Sequence, residues 1–326
     1  MAIVLPEAEV RRLLSMDDLI ETMEMALADF SARTVTQPVR TVLEVGDQQA
    51  FYGVMPAWIP SRPALGTKLV TVFESNAARG LPTHLATIVL LDPDTGALLA
   101  LMDGRYITEA RTAAVSAVSV RHLAHENARV LAIVGSGVQA RSHFEAIARV
   151  RDLSDVRVWS PNRARADAFA REMRPHANAR VTAVSSARAA VEGAGIVALV
   201  TSAKEPVVRN EWITDGAHIC AVGACRPTHR EMDAALVARA DLYVDSRDAA
   251  LIEAGDIVLA MKDGAIGPEH IRAELGDVVR GTAKPRYGRD RVTIFKSLGL
   301  AVEDVAAAHL VFERARDQGI GKELTL

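Results

Sequence analysis

A glycine-rich turn lies between an apolar stretch of the chain and a helical pattern. Residues Leu131–Ala140 read LAIVGSGVQA, so that Gly135, Gly137 and Ala140 form a G-x-G-x-x-A motif. The first glycine of such a motif makes a tight turn, the second lets the backbone approach a pyrophosphate, and amides at the helix start face the anion. An ordinary strand–turn–helix can also carry these residues. Because an apolar strand precedes the motif and a βαβ pattern follows it, we expect a dinucleotide site.

The residues that end the next strand indicate which dinucleotide binds. An NAD site usually places Asp or Glu there for the ribose 2′-hydroxyl. This chain has Ser160 instead, followed by Asn162, Arg163 and Arg165. A hydroxyl, an amide and guanidinium groups suit a 2′-phosphate, so we expect NADP(H) as the preferred cofactor. NAD(H) stays open, because the polarity of these side chains does not exclude it.

Three basic residues near the N-terminal end of the chain could bind an anion. Arg40 begins a predicted strand, and Lys68 lies on one face of another, among apolar residues. Arg111 falls in the first turn of a helix if Thr108 is its cap, where a cation opposes the helix dipole at a cost of about 0.3–1 kcal/mol. A bound anion would offset that cost. Taken singly, each of the three is better interpreted as a surface or salt-bridged residue.

The first 125 residues predict an antiparallel sheet beside an amphipathic helix. Ser15 can cap that helix, and the turn Asp92–Gly96 joins the last two strands as a hairpin. The predicted strands are Arg40–Val45, Phe51–Met55, Lys68–Glu74, Leu85–Leu91 and Ala97–Met102. A final helix over Ala301–Gln318 is expected to complete this domain.

From residue 126 to residue 300 the pattern changes, because apolar runs alternate with helical segments. The expected strands are Val130–Val134, Val156–Trp159, Val181–Val184, Ile196–Thr201, His218–Val222 and Leu242–Asp245. Continuous apolar strands separated by helices indicate a parallel sheet covered on both faces. We therefore predict an α/β protein with two domains, one of residues 1–125 with 301–326, and a doubly wound Rossmann domain of residues 126–300.

Composition narrows the classes of partner. Of 326 residues, 49% are hydrophobic and 24% charged, with a net charge of -3, which is typical of a globular protein. No block of Lys or Arg indicates a nucleic acid or a membrane surface as partner. We see neither a signal peptide nor an apolar span of membrane length. Two cysteines, Cys220 and Cys225, indicate a reducing compartment, the cytoplasm, and no motif for a metal is found.

Several motifs, read with the glycine loop, form one pattern over nearly the whole chain. They are Gly66-Thr67-Lys68, Gly80–Thr87, Asp92–Gly96, Met102-Asp103-Gly104 and Arg111-Thr112-Ala113-Ala114. Together they resemble the ornithine cyclodeaminase/mu-crystallin family. The resemblance implies a Rossmann domain joined to a smaller domain whose sheet serves dimerisation, and hence a homodimer. It also implies NAD(P) and a small imino or amino acid as ligands.

The same resemblance implies roles for individual residues. Arg40, Lys68 and Arg111 match the basic residues that hold the substrate carboxylate and the reacting C–N group, and Leu298 matches a residue over the substrate. Arg111 is also implied at the cofactor. The other implied cofactor-binding residues are Thr83, Gly135, Gly137, Val138, Gln139, Ser160, Asn162, Arg163, Thr201, Val222 and Ser297.

One loop departs from the pattern of the ornithine cyclodeaminases. Those enzymes carry an aspartate in a G-G-D-C-P-G-type loop, which pairs with the distal amine of the substrate. Here residues 222–231 read VGACRPTHRE, so the place of the aspartate falls on Ala224 or Cys225. The roles of Cys225 and His229 stay open. Ornithine cyclisation is therefore the less favoured activity, and the loop resembles those of ketimine reductases and alanine dehydrogenases.

The residue chemistry agrees with imine reduction. Arginine binds a carboxylate through two parallel hydrogen bonds, and the pKa of lysine shifts readily on burial, so Lys68 can give a proton to the imine nitrogen. We expect an NAD(P)H-dependent reductase of ketimines, such as pyrroline- or piperideine-2-carboxylate or the imine of a 2-oxo acid, that yields L-amino acids. A cyclodeaminase, an amino-acid dehydrogenase and a non-enzymatic NADPH-binding protein remain alternatives. The sequence does not specify the substrate side chain.

Overall fold

The computed structural model describes residues 2–46 and 50–325, and the chain forms two compact units. Unit 1 comprises Met1–Arg111 and Gly299–Leu326, and unit 2 comprises Thr112–Leu298. The boundary thus falls between Arg111 and Thr112, inside a helix, whereas the change of sequence pattern places it near residue 125. The assignment of substrate binding and dimerisation to the first domain stays a prediction.

The elements follow one another in two groups. The first group is β1 (Ala2–Leu5), α1 (Glu7–Leu13), α2 (Met16–Ser31), β2 (Thr41–Val45), β3 (Ala50–Ile59), β4 (Ala64–Val72), β5 (His84–Leu91), β6 (Leu98–Asp103) and α3 (Arg105–Leu123). The second group is β7 (Val130–Val134), α4 (Val138–Val150), β8 (Asp155–Trp159), α5 (Arg163–Met173), β9 (Arg180–Ala183), α6 (Ala187–Val191), β10 (Ile196–Leu199), β11 (His218–Ala221), α7 (Ala234–Arg239), β12 (Asp241–Val244), α8 (Arg247–Glu253), α9 (Gly255–Lys262), β13 (Ile271–Glu274), α10 (Leu275–Val279), β14 (Thr293–Lys296), α11 (Ala301–Gln318) and β15 (Lys322–Leu324). Short 3₁₀ turns lie at Glu74–Arg79, Arg174–His176, Asn210–Trp212 and Pro268–His270.

The sheet of unit 1 has the strand order β15-β1-β6-β5-β4-β3-β2. Neighbouring strands from β2 to β6 are antiparallel, as the alternation of their residues predicts. The sheet as a whole is mixed, because β1 pairs with β6 in parallel, with Ile3 opposite Ala100, a pairing that was not predicted from the sequence. The strands β1 and β15 have only four and three residues, which is too short for a period of two to stand out.

The two long helices of unit 1 behave as predicted. Ser15 caps α2 by accepting a hydrogen bond from the amide of Asp18 at 3.3 Å. The final helix, α11, has the predicted bounds and packs against β3, β4, β5 and α2. Every residue from 301 to 308 of α11 is buried, so its first two turns lie inside the core of unit 1.

The start of α3 differs from the prediction, and the difference concerns Arg111. The helix begins at Arg105, where the carboxylate of Asp103 accepts hydrogen bonds from the amides of Arg105 at 3.0 Å and Tyr106 at 3.3 Å. Thr108 is therefore no cap, and its hydroxyl donates to the carbonyl of Gly104 at 2.7 Å. Arg111 lies in the second turn, beyond the reach of the helix dipole. The predicted dipole conflict at Arg111 is wrong.

Unit 2 is a doubly wound sheet of parallel strands in the order β13-β12-β14-β11-β10-β7-β8-β9. Each strand predicted for this region is present. The strands β13 and β14 were not predicted: both have only four residues, Arg272 interrupts β13, and β14 ends at the charged Lys296. Separate apolar cores cover the two faces of the sheet. In the sheet, β8 lies on one side of β7 and β10 lies on the other, so the order of the strands reverses at β7. Such a reversal creates the crevice at which α/β proteins bind nucleotides.

Candidate functional site

Lys68 is buried in unit 1 beside a carboxylate of α11. The strand β4 alternates in burial, and Lys68 lies on its buried face with 2% of its surface exposed. Its Nζ is 2.6 Å from Oδ2 of Asp304. A buried ammonium group is strongly disfavoured unless an opposite charge pairs with it. Asp304 therefore stabilises the charged form of Lys68 inside the core.

Arg111 pairs with the same turn of α11. Its Nε is 3.0 Å from Oδ1 of Asp304, and its Nη1 is 2.6 Å from Oε2 of Glu303. Both carboxylates are fully buried, with 0% of their surface exposed. Asp304 thus places one oxygen on each of two cations, and Glu303 holds the other end of the Arg111 guanidinium group.

Gly299 lies next to the guanidinium groups of both Arg40 and Arg111. Its φ of +84° is a left-handed conformation, and a Cβ here would lie 2.3 Å from Nη1 of Arg111. Glycine is favoured here, because the backbone conformation strains other residues and a Cβ would displace the guanidinium group of Arg111. Nη2 of Arg40 donates a hydrogen bond to the carbonyl oxygen of Gly299 at 3.2 Å. The structure therefore brings together the three cations that the sequence singled out.

The pKa of Lys68 is set by burial and by its neighbours. The pKa is lowered to about 8 in total: burial is the largest cause, the charges of Arg111 and Arg40 also lower it, and Asp304 opposes them. For Asp304 itself burial acts to raise the pKa, but Arg111 and Lys68 outweigh it and keep the pKa below its ordinary value. At neutral pH this arrangement holds an ionised carboxylate against an ammonium group that can give up its proton.

His84 and Thr83 lie at the start of β5. Burial, together with the charges of Lys68 and Arg111, lowers the pKa of His84 to about 4, so the imidazole is neutral at pH 7. Thr83 is exposed, and its carbonyl oxygen accepts a hydrogen bond from the amide of Phe73 at 2.8 Å. The cofactor role expected for Thr83 stays a prediction.

Glu303 and Asp304 were missed by the sequence analysis. Acidic residues in the first turn of a helix are common because they complement the helix dipole, so this pair attracts no notice. The available signal is the surrounding sequence AVEDVAAA, in which two carboxylates interrupt a run of small apolar residues. Such a run predicts a helix that is buried on all sides, and buried carboxylates require cationic partners.

The glycine loop of unit 2 is shaped to receive an anion. Gly137 is the N-cap residue of α4, and no side chain of the described residues caps this helix. Apart from its two chain neighbours, none of the described residues has an atom within 4 Å of the place that a Cβ of Gly137 would take, so the loop is open on this side. The guanidinium group of Arg141 stabilises the loop by donating hydrogen bonds to the carbonyl oxygens of Ser136 and Gly137, both at 3.1 Å. The loop therefore fits a pyrophosphate, with Val138 and Gln139 in the first turn of the helix.

The residues expected at the adenosine ribose lie together at the start of α5. The hydroxyl of Ser160 accepts from the amide of Asn162 at 3.3 Å, and Oδ1 of Asn162 accepts from the amide of Arg165 at 3.1 Å. Arg163 is exposed and pairs with Asp167 at 3.0 Å. The segment from Ser160 to Arg165 contains no carboxylate, but Arg163 already has Asp167 as its partner, and the preference for NADP(H) stays a prediction.

The remaining expected residues follow three neighbouring strands. Thr201 follows β10, and its amide and hydroxyl donate to Glu231. Val222 follows β11, and its amide donates to the carbonyl of Leu199 at 3.0 Å. Ser297 and Leu298 follow β14, where the amide of Leu298 donates to a carboxylate oxygen of Asp245 at 2.5 Å. The carboxylates of Glu231 and Asp245, which accept hydrogen bonds from these segments, were not predicted from the sequence.

The loop that differs from the cyclodeaminase pattern has no carboxylate at the two positions concerned. Ala224 is fully buried, and the exposed Cys225 donates its thiol proton to the carbonyl of Val222 at 3.1 Å. Cys220 is buried in β11, and burial raises the pKa of its thiol to about 12, so it is a core residue rather than a nucleophile.

Two features are absent from residues 2–46 and 50–325. These residues contain no group of three His, Cys, Asp or Glu side chains placed to hold a metal ion. Within the same residues, no helix has both the length and the apolar character needed to cross a membrane.

Comparison with known proteins places the chain among enzymes of imino and amino acids. Residues 2–319 match the family model of the ornithine cyclodeaminase/mu-crystallin family. The ketimine reductase mu-crystallin of Rattus norvegicus is 47% identical over 298 residues, which cover 90% of this chain and 91% of that protein.

Two solved structures are similar along the whole chain. The Delta(1)-pyrroline-2-carboxylate reductase of Thermococcus litoralis, in complex with NADH and L-proline, has a TM-score of 0.96 and 39% identity, and the match covers 99% of this chain and 100% of that one. An archaeal alanine dehydrogenase dimer with bound NAD has a TM-score of 0.94 and 31% identity, and the match covers 100% of this chain and 99% of that one.

Proposed function

Because the chain belongs to the ornithine cyclodeaminase/mu-crystallin family, we propose that it is a nicotinamide-dependent oxidoreductase that reduces imino acids to L-amino acids. Its substrates would be cyclic ketimines such as pyrroline- or piperideine-2-carboxylate, or the imine of a 2-oxo acid. The observation that carries the proposal is the buried ion-pair system in which Asp304 joins Lys68 and Arg111. It combines a proton donor that works near neutral pH with a cation suited to a carboxylate.

The cations of the cluster favour a substrate that carries a carboxylate group. Among the described residues, Arg40, Lys68 and Arg111 lie close to Gly299 and to the start of α11. A substrate carboxylate would be a further anionic partner for these side chains. Guanidinium groups suit this task because their planar N–H groups match the two oxygens of a carboxylate.

Lys68 would complete the reduction by giving a proton to nitrogen. When bound, a reduced nicotinamide supplies the hydride for C2 of the imine. The imine nitrogen needs a proton from the protein, and Nζ of Lys68, with a pKa of about 8, holds one at pH 7. Asp304 would keep the ammonium group in a fixed orientation and would stay ionised throughout. Proton donors of this kind typically contribute about 10²–10⁴-fold to the rate.

Unit 2 would hold the cofactor, and we propose that NADP(H) is preferred over NAD(H). The loop from Gly135 to Gln139 would bind the pyrophosphate through the open start of α4. Ser160, Asn162 and Arg163 would bind the ribose 2′-phosphate, and Arg163 would exchange its present partner, the carboxylate of Asp167, for that phosphate. The remaining expected roles at the cofactor, those of Thr83, Arg111, Thr201, Val222 and Ser297, belong to the same proposal, as does a contact of Leu298 with the substrate.

We also propose that the protein is a homodimer of the cytoplasm. The edge strand β2 exposes apolar side chains, among them Val42 at 51% and Leu43 at 60%, and Val39 beside it is 61% exposed. Exposed apolar residues along a sheet edge are typical of a surface that a second chain covers. The free thiols of Cys220 and Cys225 support a reducing compartment.

Steady-state assays test the proposed reaction. The purified protein is incubated with NADPH and a panel of cyclic and open-chain imines, and the loss of absorbance at the nicotinamide band is followed. We expect turnover with at least one imine, and we expect the Lys68→Met variant to bind NADPH normally while losing turnover. Absence of turnover with every imine would favour the binding-protein alternative. Proline and ammonia formed from ornithine without net change in NADH would favour the cyclodeaminase.

A further inference from the structure

A buried carboxylate with no part in the proposed proton transfer connects two strand ends of unit 2. Glu231 has 0% of its surface exposed. Its Oε1 accepts hydrogen bonds from the amide and the hydroxyl of Thr201, both at 2.7 Å, and its Oε2 accepts one from the amide of Gly223, also at 2.7 Å. Thr201 follows β10 and Gly223 follows β11, which are adjacent strands. One side chain therefore fixes both segments at the carboxyl edge of the sheet.

The two segments approach each other through their backbones. A Cβ at Gly223 would lie 2.0 Å from the carbonyl oxygen of Thr201 and 2.6 Å from Oε1 of Glu231. No residue other than glycine fits such a contact. The positions of Thr201 and Gly223 are consequently coupled, and a change in the Glu231 carboxylate must move both.

Asp256, in the first turn of α9, holds Glu231 in place. Its Oδ1 accepts from the amide of Glu231 at 2.7 Å and from that of Met232 at 3.2 Å. Its Oδ2 is 3.1 Å from Nζ of Lys296, the last residue of β14. Because β14 neighbours β11, the three residues Glu231, Asp256 and Lys296 connect the ends of three adjacent strands.

The strands β10, β11 and β14 belong to one half of the sheet. The glycine loop follows β7, and the adenosine ribose residues follow β8, which lies on the opposite side of β7 from β10. In a doubly wound sheet each half binds one mononucleotide at the carboxyl ends of its strands. The β8 half carries Ser160 and Asn162, so the β10 and β11 half is left for the nicotinamide nucleotide.

We propose that Glu231 is a positioning residue for the nicotinamide half of the cofactor. It acts through Thr201 and Gly223, whose amides and hydroxyl it orients, and it makes no contact with the ring itself. This inference rests on the proposed function, because it needs a nicotinamide dinucleotide as the ligand.

The test compares ligands with and without the nicotinamide. Dissociation constants are measured by calorimetry for NADPH and 2′-phospho-ADP-ribose, with NADH and ADP-ribose as the second pair. In Glu231→Gln the new amide group donates where the carboxylate accepted, so one hydrogen bond to Thr201 or Gly223 is replaced by a repulsion. We expect the Kd of NADPH to rise about tenfold or more, while that of 2′-phospho-ADP-ribose stays within about twofold.

Two further variants separate positioning from general stability. Glu231→Asp keeps the charge, but its side chain is too short to reach both segments. We expect this variant to show the same selective loss of NADPH binding. It also serves as the test if Glu231→Gln does not fold. Glu274→Gln is the matched control, because Glu274 is 3% exposed and accepts from the amide of Arg247 at 3.1 Å at the sheet edge. We expect this control to leave the ratio of the two dissociation constants unchanged.

The outcomes are distinct. Equal weakening of both ligands in the Glu231 variants, or no change in either, overturns the positioning role. The same selective loss in Glu274→Gln also overturns it. A parent protein that binds none of the nicotinamide dinucleotides overturns the proposed function itself.

Discussion

Asp304 contacts Lys68 with one carboxylate oxygen at 2.6 Å and Arg111 with the other at 3.0 Å, and all three side chains are buried. The carboxylate is therefore shared between a residue of β4 and a residue of α3. Its loss would affect the charge of one partner and the orientation of both. This relationship makes Asp304 the residue on which the chemistry of Lys68 depends most directly.

Substitution of Asp304 by asparagine should impair both stability and catalysis. Removing one partner of a buried ion pair typically costs about 3–5 kcal/mol of unfolding free energy, because the remaining cations stay buried without compensation. The pKa of Lys68 should fall below its present value of about 8, since Asp304 is the group that raises it. We expect kcat/KM at pH 7 to fall at least about 100-fold.

Urea unfolding and the pH profile of kcat/KM check this prediction. Asp317→Asn is the control, because Asp317 lies on the same helix and is exposed. A variant Asp304→Asn with the stability and pH profile of the parent protein would show that Lys68 does not need this counter-charge.

The parent enzyme should lose activity on the alkaline side. Burial depresses the pKa of Lys68 to about 8, so the ammonium form predominates below pH 8 and is lost above it. Because the proton at Nζ is required for reduction, kcat/KM should be level below pH 8 and fall about tenfold for each further pH unit. The measurement is kcat/KM from pH 6 to pH 10, with NADPH binding followed over the same range as the control. A flat profile to pH 10 would argue against Lys68 as the proton donor.

Alanine at position 299 should disturb the cation cluster. A Cβ there would lie 2.3 Å from Nη1 of Arg111, and the φ of +84° is itself unfavourable for alanine by about 1–2 kcal/mol. The guanidinium group must move, so we expect the KM for the imine to rise about tenfold or more. Steady-state kinetics over a range of imine concentrations give this value.

Gly319→Ala provides a matched control for that substitution. Gly319 also has a positive φ, +63°, but no described residue other than its chain neighbours comes within 4 Å of its Cβ position. Both variants should lose stability through backbone strain, whereas only Gly299→Ala should raise KM. Equal KM values for the two variants would mean that Arg111 does not bind the substrate.

Removal of Arg163 should change the preference between the two cofactors. Arg163 is exposed at the start of α5, beside Ser160 and Asn162, where its guanidinium group can meet a 2′-phosphate. We expect Arg163→Ala to weaken NADPH binding about tenfold while leaving NADH binding unchanged, since only NADPH has the phosphate. Calorimetric titrations with both cofactors measure this, and Arg171→Ala at the other end of α5 is the control. An equal loss for both cofactors would contradict the NADP(H) proposal.

The sequence was most informative where local patterns decide the structure. Apolar runs predicted the strands around the glycine loop because parallel strands covered on both faces have few polar residues. Arg40, Lys68 and Arg111 were found because basic residues among apolar ones are uncommon, and the family motifs include two of them. A cap at Thr108 was wrong because Asp103, five residues earlier, offers a carboxylate to the helix start.

What the sequence did not reveal depends on partners distant along the chain. Glu303 and Asp304 have ordinary helix-start positions, and only their pairing with Lys68 and Arg111 shows that they are buried counter-charges. Glu231 is equally inconspicuous, since its bonds to Thr201 and Gly223 depend on the order of the strands. The strand β14 lies between β11 and β12 in the sheet although it follows both in sequence, an arrangement that no local pattern specifies.

The discontinuity of unit 1 has a consequence for biosynthesis. Its first segment ends at Arg111, and the helix that neutralises Lys68 and Arg111 begins only at Ala301. While the ribosome translates the intervening residues, the nascent chain carries two basic side chains whose counter-ions do not yet exist. The core of unit 1 therefore closes only after α11 has left the exit tunnel, whereas unit 2, encoded by one uninterrupted stretch, can fold before that moment.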